Sequence, residues 1–172
     1  MERIKRAELI SSLEEFLTLS TMTLATVSPE GEPHAAAVYF AYDEAINLYY
    51  FSDVSSQHSL DASQDPQAAV AIHAEAAEWQ EIRGMQMRGS IWAVESKQEW
   101  QAAWQVYREK FPFVDGLEEV IAANQLYVFK PNWIRLVDNR QGFGYRQEWK
   151  LDMVEGASDV SQTWRISGNQ DG

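Results

Sequence analysis

Thr21-Met22-Thr23-Leu24-Ala25-Thr26-Val27-Ser28-Pro29-Glu30-Gly31 is the stretch whose reading decides the fold class. Met22, Leu24 and Thr26 alternate with Thr23, Ala25 and Val27, and β-branched residues are frequent. A period of two with this composition predicts a strand. Ser28-Pro29-Glu30-Gly31 predicts a turn, with Pro at its second position and Gly at its fourth. His34 to Tyr42 reads as a second strand, whose small residues Ala35, Ala36 and Ala37 let a neighbouring backbone or a flat ligand approach closely. Asp43-Glu44-Ala45 then turns into Ile46 to Phe51. Three strands with short connections predict an antiparallel meander.

Outward from this core the pattern changes twice. Upstream, Ile4, Ala7, Ile10, Leu13, Phe16 and Leu17 recur at three- and four-residue spacing, which predicts a helix packed on the sheet. Downstream, Ser56 to Ser63 reads as a short helix with Ser55 or Ser56 as N-cap, ended by Asp65-Pro66. Ala68 to His73 is a fourth strand and Glu81 to Val94 a long fifth one. In the fifth, Arg83, Met85 and Met87 point one way and Gln86, Arg88 and Ser90 the other. Neither face is purely polar, so one faces the core and the other a partner or ligand. Ser96-Lys97-Gln98-Glu99 is a capping box. Trp100, Trp104, Tyr107 and Phe111 follow at helical spacing, a stripe that reads as core or interface, and Pro112 stops the helix. Leu126 to Phe129 and Trp133 to Val137 are two further strands; Asp138 to Gly142 is a turn, with Phe143 to Trp149 returning from it. The chain is polar after about Asp152, so residues 1–150 are expected to form one domain and 151–172 an acidic extension. Six or seven antiparallel strands with two longer helices predict an α+β domain, a closed or partly closed barrel.

Composition narrows the function classes. The formal net charge is −12 over 172 residues, so nucleic acid and anionic membrane are poor partners. No Cys is present, which excludes disulfides, thiolate metal sites and thiol nucleophiles. No apolar run approaches the ~20 residues of a membrane span, and no apolar signal core follows the N-terminus, so a cytoplasmic protein is expected. His34, His58 and His73 show no tight ligand spacing. No G-x-S-x-G occurs, and Gly142-Phe143-Gly144 lacks the third Gly of a dinucleotide fingerprint.

One local constellation carries chemistry. Tyr49-Tyr50-Phe51-Ser52-Asp53-Val54-Ser55-Ser56-Gln57-His58-Ser59 is an aromatic strand, a hydroxyl-rich turn and a helix start. Backbone N–H groups at a helix start, with serine hydroxyls, make an anion site suited to the phosphate of a nucleotide-like cofactor.

Taken with Thr23 to Val27, Gly31 to His34, Asp65 to Val70 and Arg83-Gly84-Met85-Gln86-Met87-Arg88-Gly89, this stretch resembles the pyridoxamine-5′-phosphate-oxidase-like split-barrel flavoproteins. The resemblance covers roughly residues 10 to 150, and Asp138 to Gly144 resembles a poorly characterised branch of that superfamily. It implies an antiparallel six- to seven-stranded split β-barrel with flanking helices, and a homodimer with an FMN groove at its interface. Carried over by position, Ala35, Ala36, Ala37, Val38 and Tyr39 would run along the flavin ring. Phe51 and Ser52 would lie beside the ribityl chain, and Ser56, Gln57 and His58 would meet the phosphate. Gln86 and Arg88 would approach the ring, and Trp133, Arg135 and Asn139 would come from the partner. Many flavin-binding members place Arg-Lys where this chain has Gln57-His58. One charge-assisted contact is worth roughly 1.5–3 kcal/mol, so its loss lowers affinity by roughly one to two decades. The resemblance implies a flavin-dependent oxidoreductase acting on an unknown small molecule. A non-catalytic module for flavin, haem (with His34, His58 or His73 as axial ligand) or another flat cofactor, and a ligand-free dimer, are the alternatives.

Overall fold

The computed structural model describes residues 6–151. The expected acidic extension from residue 152 onward, and Ile4 of the first helix, lie outside the described residues. Among the described residues, four helices and eight strands follow in the order α1 (Arg6–Leu17), β1 (Thr21–Val27), β2 (Pro33–Tyr39), β3 (Ala41–Tyr42), β4 (Leu48–Ser52), α2 (Gln57–Gln64), β5 (Gln67–His73), β6 (Arg83–Ala93), α3 (Lys97–Lys110), α4 (Glu118–Ala122), β7 (Gln125–Asp138) and β8 (Arg146–Lys150). The strands form one sheet, ordered β2-β1-β5-β6-β7-β4-β3, with β8 also paired to β7. The fold is α+β, an antiparallel split barrel with flanking helices.

The β1–β2 hairpin forms as its sequence predicts. Gly31 takes a left-handed φ of 85°, and its amide donates to the Ser28 carbonyl at 2.9 Å. Pairing runs in register from Thr21↔Tyr39 to Val27↔Pro33.

The expected meander stops there. Phe40 and Ala41 are consecutive buried residues, which breaks the two-residue alternation and ends β2. The chain then makes a separate tight hairpin, β3 to β4, with Ala41↔Tyr49 and Tyr42↔Leu48 paired. The Asp43 carboxylate organises this turn. It accepts from the Ala45 amide at 2.8 Å, the Asn47 amide at 2.9 Å, Asn47 Nδ2 at 2.9 Å and the Tyr49 hydroxyl at 3.0 Å. Those bonds hold Ile46 at φ 59°, a region costly for a β-branched residue. β2 lies against β4 without a hydrogen-bonded ladder between them.

The chain divides into two compact units. One comprises Ser20–Val70 and Gly89–Lys130 and carries α2, α3 and α4; the other carries α1, Ala71–Arg88 and the chain from Pro131. In the α2–α3 unit, Tyr49, Val94, Ala103, Leu126 and Val128 are buried together, with Phe51, Trp100 and Val106 packed on them. The Trp100–Tyr107 stripe is therefore core packing, and Trp100 stacks on Trp104 at 5.7 Å. Ser96 caps α3 by accepting from the Glu99 amide, and Phe111 and Pro112 terminate it. In the α1 unit, Leu9, Leu13, Phe16 and Leu17 are buried while Ala7 is exposed, so the apolar stripe is centred on Leu9 and Leu13. Met85 and Met87 face inward and Gln86 and Arg88 outward, as the alternation predicts.

Two expected strands, Leu126 to Phe129 and Trp133 to Val137, are one continuous β7. Lys130-Pro131-Asn132 reads as a break, but Pro131 is buried inside the strand where its pairing partner changes. Residues Gln125 to Phe129 pair with β4, and Trp133 to Val137 pair with β8. A proline has no N–H to donate, and a change of partner is where that loss costs least. Among the described residues no helix is long and apolar enough to cross a membrane.

Candidate functional site

In the α2–α3 unit the anion-site residues converge. Asp53 accepts from the Ser55 amide and hydroxyl, both at 2.7 Å, which tightens the turn after β4. Ser52 Oγ then lies 2.7 Å from His58 Nε2 and 3.1 Å from Ser56 Oγ. Ser56 occupies the N-cap position of α2 with extended backbone angles, but its hydroxyl donates to Ser59 Oγ at 2.8 Å and caps no backbone amide. Two hydroxyls and an imidazole thus gather where the first-turn N–H groups of α2 have no side-chain acceptor from their cap. Burial lowers the His58 pKa more than the nearby Asp61 raises it, so the ring is neutral at pH 7.

Beside His58, with ring centroids 6.3 Å apart, is Tyr50. Tyr50 is fully buried and stacks on Tyr127 at 5.4 Å, yet its hydroxyl has no partner among the described residues. Burial pushes the Tyr50 hydroxyl pKa up, so it remains a protonated donor. A buried donor without an acceptor costs about 1–3 kcal/mol, so this atom favours a polar visitor such as water or a ligand oxygen.

Gln57 does not join that cluster. Its Nε2 donates to Asp61 Oδ1 at 2.8 Å, one helical turn on. Asp61 Oδ2 accepts from Thr26 Oγ1 at 2.7 Å and lies 2.8 Å from His34 Nδ1. Asp61 is 1% exposed. Burial raises its pKa, but the Thr26, Gln57 and His34 contacts together outweigh burial, and the carboxyl titrates below its ordinary range. Thr26 and His34 are direct cross-strand partners in the β1–β2 ladder, so both reach the same oxygen. Asp61, Thr26 and Tyr50 are functional candidates that sequence reasoning missed. The only local signal was the four-residue spacing of Gln57 and Asp61 on α2.

On β2, Ala35, Ala37 and Tyr39 are exposed while Ala36 and Val38 are half-buried on the other face. The Tyr39 ring meets Phe111 at 5.4 Å and Phe113 at 6.0 Å. Phe51 is spent on packing: its ring sits edge-on to Trp104 at 6.0 Å and to Tyr107 at 5.1 Å.

In the α1 unit, Arg88 lies over the Trp133 ring at 4.3 Å and Arg135 lies over it at 4.8 Å. Arg135 donates to Glu148 through Nε at 2.7 Å, and its Nη2 is 2.6 Å from the same oxygen. Among the described residues Arg83, Arg108, Arg135 and Arg140 pair with carboxylates, whereas Arg88 pairs with none. Gln86 is exposed. Asn139 is committed to loop contacts: its side chain donates to the Trp79 carbonyl, in the loop before β6, at 2.8 Å and accepts from the Gly144 amide at 3.1 Å. Among the described residues no cluster of three metal-ligating side chains occurs.

The family model for pyridoxamine 5′-phosphate oxidase matches residues 10–138. The chain belongs to the pyridoxamine 5′-phosphate oxidase family. The chain is also 25% identical over 144 residues to the UPF0306 protein YhbP of Salmonella paratyphi A, covering 83% of this chain and 94% of that one. A heme-binding protein of Mycobacterium smegmatis superposes with a TM-score of 0.67 at 21% identity, over 87% of this chain and 60% of that one. HutZ, the heme storage protein of Vibrio cholerae, gives 0.60 at 17% identity, over 74% and 91%. At these identities the two structures speak to the fold alone.

Proposed function

We propose that the protein is a cytoplasmic, homodimeric FMN-binding member of this family that carries out flavin-dependent redox chemistry on a small molecule. The observation that carries the reading is the Ser52–Ser56–His58 cluster at the start of α2, where His58 Nε2 lies 2.7 Å and 3.2 Å from the two hydroxyls. This donor set fits a phosphate, with the orphaned Tyr50 hydroxyl next to it as a further donor. All its donors are neutral, so the phosphate would be held by hydrogen bonds and the helix dipole. Bound FMN would supply hydride transfer. The protein would supply the Ser52 and Ser56 hydroxyls, the small strand from Ala35 to Tyr39 and the family positions Gln57, Gln86, Arg88, Trp133, Arg135 and Asn139. Arg88 supports the reading as a cation with no carboxylate partner among the described residues, in a chain of net charge −12. Fluorescence titration with FMN tests it. Purified protein that is colourless and leaves FMN emission unchanged would sink the proposal, and a monomer in micromolar sedimentation runs would sink the shared dimeric site.

A second reading, a carrier of haem on the same barrel, is favoured by the imidazole that Asp61 holds at the edge strand, 2.8 Å from its carboxylate. The Mycobacterium and Vibrio neighbours, a heme-binding and a heme storage protein, bear on it only through the fold they share with this chain.

A further inference from the structure

We propose that His34 is an axial imidazole ligand for the iron of a haem-type macrocycle, with Asp61 as its positioning residue; this rests on the carrier reading. His34 is presented as a ligand would be. Its Nδ1 is 2.8 Å from a carboxylate that is itself buried and pinned by Thr26 and Gln57. In the neutral ring the proton sits on Nδ1 toward the carboxylate, and the lone pair falls on Nε2. Nε2 makes no hydrogen bond to a described residue, and the side chain is 31% exposed. A carboxylate on the far nitrogen fixes ring orientation and raises donor strength, the arrangement that metal-bound histidines use.

The kind of metal follows from what surrounds the ring. No three ligating side chains converge among the described residues, so a bare ion finds no chelate here. A metal that brings four equatorial donors of its own needs one axial atom from the protein. β2 ends the strand order, and the next residue on the His34 face of that strand is Ala36. A plate can approach Nε2 without meeting a large side chain from β2. His58 is a poorer ligand because its Nε2 is within 3.2 Å of two serine hydroxyls. His73 has no carboxylate partner among the described residues; its Nδ1 lies 3.2 Å from the Ala74 carbonyl.

The test is titration of the full chain with ferric haemin, read by the Soret band and by resonance Raman of the ferrous form. The expected result is an imidazole-ligated spectrum that His34→Gln abolishes with at least a tenfold loss of affinity, while His58→Gln and His73→Gln leave it in place. Imidazole added to His34→Gly should restore it, and Asp61→Asn should lower the iron–imidazole stretching frequency without abolishing binding. One measurement needs no variant: of the three histidine ring signals in wild-type NMR spectra, haemin should shift and broaden that of His34 as its ligand. Haemin that binds with the same spectrum in His34→Gln overturns the His34 assignment and leaves the carrier reading standing. No haemin binding by wild type overturns both.

Discussion

Replacing Asp61 by Ala should cost far more than any other single carboxylate on α2 or its neighbours. The side chain is 1% exposed and serves three donors. Truncation orphans the Thr26 hydroxyl, which is itself buried, and His34 Nδ1, whereas the exposed Gln57 amide returns to water. Two orphaned donors at about 1–3 kcal/mol each give about 4 kcal/mol, within the range for breaking a buried charged pair. For a chain of this length that is a fall in Tm of about 8–16 °C. Asp61→Asn keeps the shape and can still accept from Thr26 and His34 while Gln57 turns its carbonyl to the new amide. It loses only charge assistance and should cost about 1–2 kcal/mol. Thr26→Val on top of Asp61→Ala should add less than its effect on wild type, because its donor is already unpaired. Denaturant melts of wild type and the four variants, with coincident far-UV and tryptophan signals, provide the measurement. The pH dependence has a definite sign. The Asp61 carboxyl is held below its ordinary value, so its contribution is present above the unfolded pKa near 4 and fades as pH falls through the lower folded value. Asp61→Asn should therefore flatten the acid limb below about pH 4. An Ala variant within about 1 kcal/mol of wild type, or Asn as damaging as Ala, would refute the reasoning.

His58→Lys should tighten FMN binding by about one to two decades through a charge-assisted phosphate contact, and His58→Ala should weaken it by less than one decade, since it removes a neutral partner. Equal affinities in the FMN fluorescence titration would place the phosphate elsewhere. Burial lowers the His58 pKa, so below about pH 6.5 the unfolded chain takes up that proton first and stability drops; between pH 7 and 5 thermal melts should show wild type losing more stability than His58→Gln. Gly84→Ala would set a Cβ 2.7 Å from the Ile72 carbonyl oxygen and 2.9 Å from His73 Cβ, which only a backbone shift relieves. We expect a loss of about 1–3 kcal/mol in urea melts, and a neutral variant would mean that β5 and β6 part easily there.

What could be read from sequence follows from how local each feature is. The strand alternation, the Ser28–Gly31 turn and the Ser96–Glu99 cap each depend on a few consecutive residues, and each forms as written. The Ser52–Ser56–His58 cluster is legible for the same reason, since seven residues contain it. The Asp61 network is not: it joins residues 35 apart across a ladder and a helix, and an isolated aspartate on a short polar helix reads as a solvated one. Trp133 and Arg135 share a face by period two, but the stacking of Arg88 on Trp133 depends on strand order, which no local pattern fixes. The meander failed at Ala41: Phe40 keeps to the face of His34, Ala36 and Val38, but Ala41 is buried directly after it, which breaks the period and sends the chain into a second hairpin.

The two proposed cofactor chemistries draw on the same short helix, and α2 cannot serve both fully. An arginine at position 57, as in many flavin-binding members, would sit one turn from Asp61 and take its carboxylate as an ion pair. That would cost His34 part of its acceptor and loosen the hold on its ring. In this chain Gln57 gives Asp61 a neutral donor at 2.8 Å, which leaves the carboxylate's charge directed at Thr26 and His34. On the two proposed readings, a weak phosphate end and a well-oriented imidazole would be two consequences of one choice at residue 57. Gln57→Arg therefore separates them: it should strengthen FMN binding by supplying the absent cation and weaken the imidazole signature of haemin by drawing Asp61 away. Both affinities rising together would mean that the introduced guanidinium reaches the phosphate without drawing on Asp61, and that the coupling between α2 and β2 through Asp61 does not govern ligand choice.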